Sequence, residues 1–355
     1  MKPRRFGYGR GRRAVALLVL LLCLCLSSAF LLLLHGSSGP LEPAAEEKAA
    51  AGARVAEARA EVEEAPLPPG NSKVAFLFIA RNRLPLELVW DAFFRGDKEG
   101  RFSIFVHSRP GFVLTRATTR SRFFYNRQVN NSIQVDWGEA SMITAERILL
   151  SHALKDPLNE RFVFVSDSCV PLYNFSYTYD YIMSSSTSFV DSFADTKAGR
   201  YNPRMDPIIP VENWRKGSQR RPLPEFWRDW DRPIPAEAWK AHNCIPDEHY
   251  VQTLLAQTGL EEELTRRSVT HSAWDLSASK DRERRGWHPV TYKVSDATPA
   301  LIKSIKGIDN IYYETENRRE WCTSNGKPAP CFLFARKFTR GAGLKLLDSS
   351  LIAVK

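Results

Sequence analysis

KVAFLFIAR, residues Lys73–Arg81, is an apolar run opened by a lysine and closed by an arginine. With no polar alternation it reads as a strand covered on both faces, the pattern of a parallel sheet between helices. Toward the C-terminus, LPLELVWDAFF (84–94) has helical spacing and FSIFVHS (102–108) reads as a second strand. SMITAERILLSHAL (141–154) is again helical, and RFVFVSDS (161–168) is a third buried strand. Strands alternating with helices predict an α/β fold with a mostly parallel central sheet. Ligands of such sheets bind outside the carboxyl ends of the strands. Those ends carry Ala80 and Arg81, His107 and Ser108, and Ser166 and Asp167.

Toward the N-terminus the composition changes. Residues 35–71 are rich in Ala, Glu and Pro and lack the aromatic and branched side chains of a core, so they read as a stem. Ala14–Leu34 is 21 residues without a charge. As a helix it spans roughly 30 Å, one hydrocarbon core. The apolar region of a cleaved signal peptide is shorter, about 7–15 residues, so a retained anchor is expected over 14–34. The preceding MKPRRFGYGRGRR (1–13) has six Lys/Arg and no acid. The positive-inside rule keeps that tail cytoplasmic and sends the chain from 72 to 355 into a lumen, a type II topology. Six of the ten net positive charges sit in the tail, which leaves little basic surface for a nucleic acid.

An oxidising lumen suits Cys169, Cys244, Cys322 and Cys331, for which three disulfide pairings are open. Asn130 and Asn174 head glycosylation triplets. No P-loop, dinucleotide-binding glycine fingerprint, HExxH or GxSxG is present. A lumenal, anchored α/β domain of this size points to a glycosyltransferase. The metal-holding D-x-D of many such enzymes has only Asp229-Trp230-Asp231 as a match. That triplet lies between prolines and tryptophans rather than at a strand end, so no metal is expected. Without one, Arg and Lys must neutralise the departing diphosphate. NRREWC (317–322) and FLFARKFTR (332–340) offer such cations, with Arg336, Lys337 and Arg340 in the second. IPDEHYVQTLLAQ (245–257) places Pro246, Asp247 and Glu248 at a helix start. Dipole chemistry alone explains that placement, and a catalytic carboxylate explains it equally.

VAFLFIAR, FVFVSDSCVPL, IPDEHYVQTLL, THSAWD, HPVTY and YYETENRREWCTSNGKPAPCFLFARKF, together with the anchor and stem, resemble the plant relatives of the Core-2/I-branching β-1,6-N-acetylglucosaminyltransferases. The resemblance runs from Lys73 to the end. It implies a GT-A-like fold, a nucleotide-sugar donor, a glycan or glycoprotein acceptor, inversion at the anomeric carbon, no metal cofactor and residence in the Golgi membrane. It further implies Glu248 as general base, and Arg319 and Lys337 on the donor diphosphate. Ala80, Arg81 and His107 then fall to the donor nucleoside, and Asp167 and Trp274 to the acceptor side. Cys322 and Cys331 are expected to pair, because the turn-rich TSNGKPAP between them can reverse the chain.

One departure stands out. After Lys216-Gly217-Ser218-Gln219 the resembling sequences continue into a strand and a helix, whereas here Arg220-Arg221-Pro222 follows at once. The chain reads as shortened by one strand–helix unit. A catalytically silent lumenal protein that binds glycans or partner enzymes is therefore the second reading. Neither the sugar nor the oligomeric state is fixed by the sequence.

Overall fold

The computed structural model describes residues 71–136, 139–195, 201, 205–206, 208–217, 246–274 and 289–348. The expected tail, anchor and stem, Cys244, the Asp229–Asp231 triplet and the junction after Gln219 lie outside these residues. No helix among the described residues is long and apolar enough to cross a membrane.

The central sheet has three parallel strands: β1 (Lys73–Ile79), β2 (Phe102–His107) and β3 (Asn159–Ser166), in the order β2-β1-β3. Helix α1 (Glu87–Arg95) joins β1 to β2, and α2 (Ala140–Ala153) precedes β3. The apolar run of β1 now has its reason. Phe76 and Phe78 face one core with Trp90, Phe93 and Phe94 of α1, while Ala75 and Leu77 face another with Leu149 and Ala153 of α2. Each face of β1 thus meets its own helix. Trp90 anchors the first core, edge-on to Phe78 at 5.1 Å, and its Nε1 donates to the Cys169 carbonyl at 3.0 Å. Such aromatic pairs contribute about 0.5–1.5 kcal/mol each beyond their buried area.

A second sheet is built on late strands. β4 (Val170–Pro171) and β5 (Thr270–Ser272) flank the C-terminal β8 (Phe334–Arg336), antiparallel and parallel respectively. Between β5 and β8 lie α5 (Pro299–Lys306) and the hairpin of β6 (Asn310–Tyr313) and β7 (Arg318–Trp321). Cys322, just after β7, is disulfide-bonded to Cys331, with Cα atoms 5.1 Å apart. The remaining helices are α3 (Phe175–Met183), α4 (Tyr250–Gln257) and α6 (Arg340–Asp348).

Two sequence expectations are corrected. The carboxylates of Pro246-Asp247-Glu248 do not open α4; they form a separate 3-10 turn, and His249 stands between it and the helix that begins at Tyr250, with no side-chain cap bond. β3 is not covered on both faces either. Among the described residues it is an edge strand, and Phe164 is 40% exposed.

Candidate active site

The carboxyl ends of β1, β2 and β3 open onto a cleft of about 830 Å³. Ala80 and Arg81 follow β1, His107 ends β2, and Asp167 follows β3; all four line this cleft. Glu248, Trp274 and Lys337 line it too, each from a different part of the chain. The expected residues therefore converge, with one exception. Arg319 is not among the lining residues; it lies on the solvent face of β7, where its Nη1 donates to Asn310 Oδ1 at 2.6 Å and its guanidinium lies over Tyr312 and Trp321. Arg340 is also absent from the lining, whereas Arg336 is present.

Backbone hydrogen bonds place one wall. Phe338 N donates to Ser168 O at 2.9 Å, tying the residue after Lys337 to the residue after Asp167. Tyr292 N donates to Lys337 O at 2.8 Å. Arg81, Arg336 and Lys337 consequently act together on Asp167. Burial pushes the Asp167 carboxyl up, and these three cations pull it back. Burial and the neighbouring Arg336 lower the Lys337 ammonium, opposed by Asp167. Three cations around a single carboxylate leave a surplus of positive charge facing the cleft. Arg336 Nε is buried with no hydrogen-bond partner, so the strand that carries it holds a donor in reserve.

His107 is 1% exposed, and its Nε2 accepts from Ile133 N at 3.1 Å. That donor requires Nε2 to be unprotonated, and burial lowers the imidazole accordingly. A neutral ring at the end of β2 fixes the segment around Ile133 over the cleft without adding charge.

The cleft also carries acidic groups. Burial raises the Glu248 carboxyl; Lys216 and His249 oppose that rise, and Asp247 adds to it. Lys216 Nζ stands 3.3 Å from Glu248 Oε2, and Gly217 N donates to Glu248 O at 2.9 Å. Burial also raises Asp247, whose Oδ1 has no hydrogen-bond partner. Glu146, reaching the same cleft from α2, is pushed up to about 7 by burial and by Asp247. Sequence reading missed Glu146, although a lone carboxylate between Met142, Ile143 and Leu149 on a helix was a visible signal.

Asn130 is exposed in a turn, while Asn174 is half-buried and caps α3, its Oδ1 accepting from Tyr177 N at 2.9 Å. Among the described residues no group of three or more His, Cys, Asp or Glu could hold a metal ion.

The Core-2/I-branching enzyme family matches residues 74–306. The chain belongs to that family. It is also 79% identical to the glycosyltransferase BC10 of Oryza sativa subsp. japonica, over 99% of this chain and 98% of the rice protein. The chain is accordingly a glycosyltransferase-type enzyme. That alignment runs over 389 positions against 355 residues here, so at least 34 (389 less 355) face a gap in this chain. The family match covers Glu248 and the carboxyl ends of all three strands that open the cleft, but ends before Lys337.

Proposed function

We propose that this chain is an inverting, Golgi-resident type II transferase that moves a sugar, N-acetylglucosamine or a related one, from a nucleotide donor to a glycan acceptor. The observation that carries this reading is one cleft with a carboxylate wall at Glu248 and a cationic wall at Arg81, Arg336 and Lys337. In such a cleft the acceptor hydroxyl loses its proton to Glu248 as its oxygen attacks the anomeric carbon. The bond from that carbon to the diphosphate breaks with its electron pair leaving on the diphosphate oxygen, where Lys337 and Arg336 stabilise the charge. Attack from the face opposite the leaving group inverts the centre with one base. The neutral His107 and the Ala80–Arg81 turn lie beside the strand ends where the nucleoside belongs. Asp167 and Trp274 remain for the sugars. The family's diphosphate-binding role for Arg319 gains no support from its place on β7, and Arg336 is the better-placed partner of Lys337.

Glu248→Gln tests the reading. The variant is expected to keep donor binding yet lose transfer by about 10²–10⁴-fold. Transfer at the unsubstituted rate would remove Glu248 from the mechanism. A second reading, a glycan-binding protein without turnover, draws on the 34 or more unmatched positions. It predicts that donor is neither hydrolysed nor transferred even when Glu248 is intact.

A further inference from the structure

Glu248 is held twice, by the last residue of one short strand and by the residue that follows it. Lys216 reaches its carboxylate at Oε2, and Gly217 donates its backbone N–H to the Glu248 carbonyl. The strand itself, Arg215–Lys216, is fixed from three sides. It pairs antiparallel with Phe193–Ala194. Thr253 of α4 bonds both backbone groups of Arg215, accepting from N at 3.1 Å and donating to O at 3.2 Å. The Arg215 guanidinium grips Glu261 with two contacts, at 2.7 and 2.8 Å. Lys216 is 1% exposed, so its ammonium has been taken out of water and set against one partner.

We propose that Lys216 is a positioning residue for the transfer reaction: it holds Oε2 of Glu248, keeps that carboxylate ionised within the cleft and leaves Oε1 to receive the acceptor proton. The inference rests on Glu248 being the base. A carboxyl buried without a cation protonates and can no longer accept. A cation bound too tightly blunts basicity instead. Lys216 Nζ, 3.3 Å from Oε2, contacts one carboxylate oxygen and favours the ionised form. The other charged groups facing Glu248 do not replace it. Asp247 in the same turn repels, with Glu146 of α2 behind it. His249 stands against Asp195 at 3.8 Å. Arg336 acts on Asp247. Of the charges that favour ionised Glu248, Lys216 acts most strongly.

The test is a carbon-13 titration of glutamate carboxyls in the full-length chain in detergent micelles, with Glu248→Gln assigning the signal. Lys216→Met is expected to move the Glu248 midpoint upward by about 1–3 pH units, and Lys216→Arg to leave it near its original place. The acidic limb of the pH–rate profile should move up with the midpoint, so that Lys216→Met regains turnover in alkaline buffer. An unmoved midpoint overturns the proposal. A midpoint that moves while the rate profile stays put overturns it through its premise, because Glu248 would then be held by Lys216 without being the base. Should Lys216→Met not fold, nitrogen-15 spectra of the lysine ammonium groups decide. The Lys216 signal must shift in Glu248→Gln, and an unchanged signal rejects the contact.

Discussion

At the scale of single residues, the cleft is a balance of buried charges, and Glu146 shows its sign most clearly. In water its carboxyl titrates near 4.5, and in the fold burial and Asp247 push it up to about 7. Between those values the unfolded chain has released the proton while the folded chain retains it. Stability contributed by protonated Glu146 is therefore full below pH 4.5 and declines as pH rises toward 7. The loss is at most roughly 3 kcal/mol, reduced by whatever water reaches the side chain. Glu146→Gln cannot ionise, so it should match the unsubstituted chain in urea unfolding at pH 4 and exceed it at pH 8. A stability difference that does not change with pH would show that Glu146 ionises freely. His107 illustrates the opposite case, a titratable group kept neutral by burial and used as an acceptor for Ile133 N.

At the scale of elements, what could be read from the sequence depended on whether the cause was local. The β1 run announced a strand because both faces meet helices, and α1 and α2 came within a few residues of their observed bounds. From sequence the turn at Pro246–Glu248 reads as the first turn of α4, since 3-10 turns are common at helix N-termini and helix ends are set only to within a residue or two. Phe164 on β3 is exposed because it lines the cleft, whose position periodicity does not encode. The convergence of Glu248 and Lys337 came from a resemblance rather than from spacing. Lys216 and Gly217 carried no signal, because their role exists only once Arg215–Lys216 lies against α4. Gly217 makes that dependence measurable. A Cβ there would stand 2.1 Å from Gln252 Nε2 and 2.6 Å from the Asp191 carbonyl. Gly217→Ala should therefore cost about 1–3 kcal/mol in unfolding and lower turnover by displacing Glu248. Adding Gln252→Ala should recover only part of the stability, since the backbone carbonyl remains. Full recovery would mean that the side chain alone sets the limit.

At the scale of the whole molecule, the chain has to be reconciled with the 34 or more positions of the rice protein that it lacks. By resemblance the sequence is expected to leave the pattern of the plant proteins at Lys216-Gly217-Ser218-Gln219, and Lys216 and Gly217 are the two residues that hold Glu248. A strand–helix unit entering there would continue directly from the element that positions the base. It would also offer a pairing partner to β3, which ends the central sheet among the described residues. An unpaired strand edge weakens a fold. Restoring the plant-type segment between Gln219 and Arg220 should therefore raise the melting temperature. Turnover should respond more steeply than stability, because a displacement of about 1 Å at a reacting group can cost around 10²-fold in rate. The chain as it stands is expected to bind donor weakly and transfer poorly, and the restored chain to do both well. The two proteins should be compared in thermal unfolding and in transfer from the same donor. Equal melting with equal turnover would show that residues 220 to 241 already close the structure, and that Lys216 needs nothing after it to hold Glu248 in place.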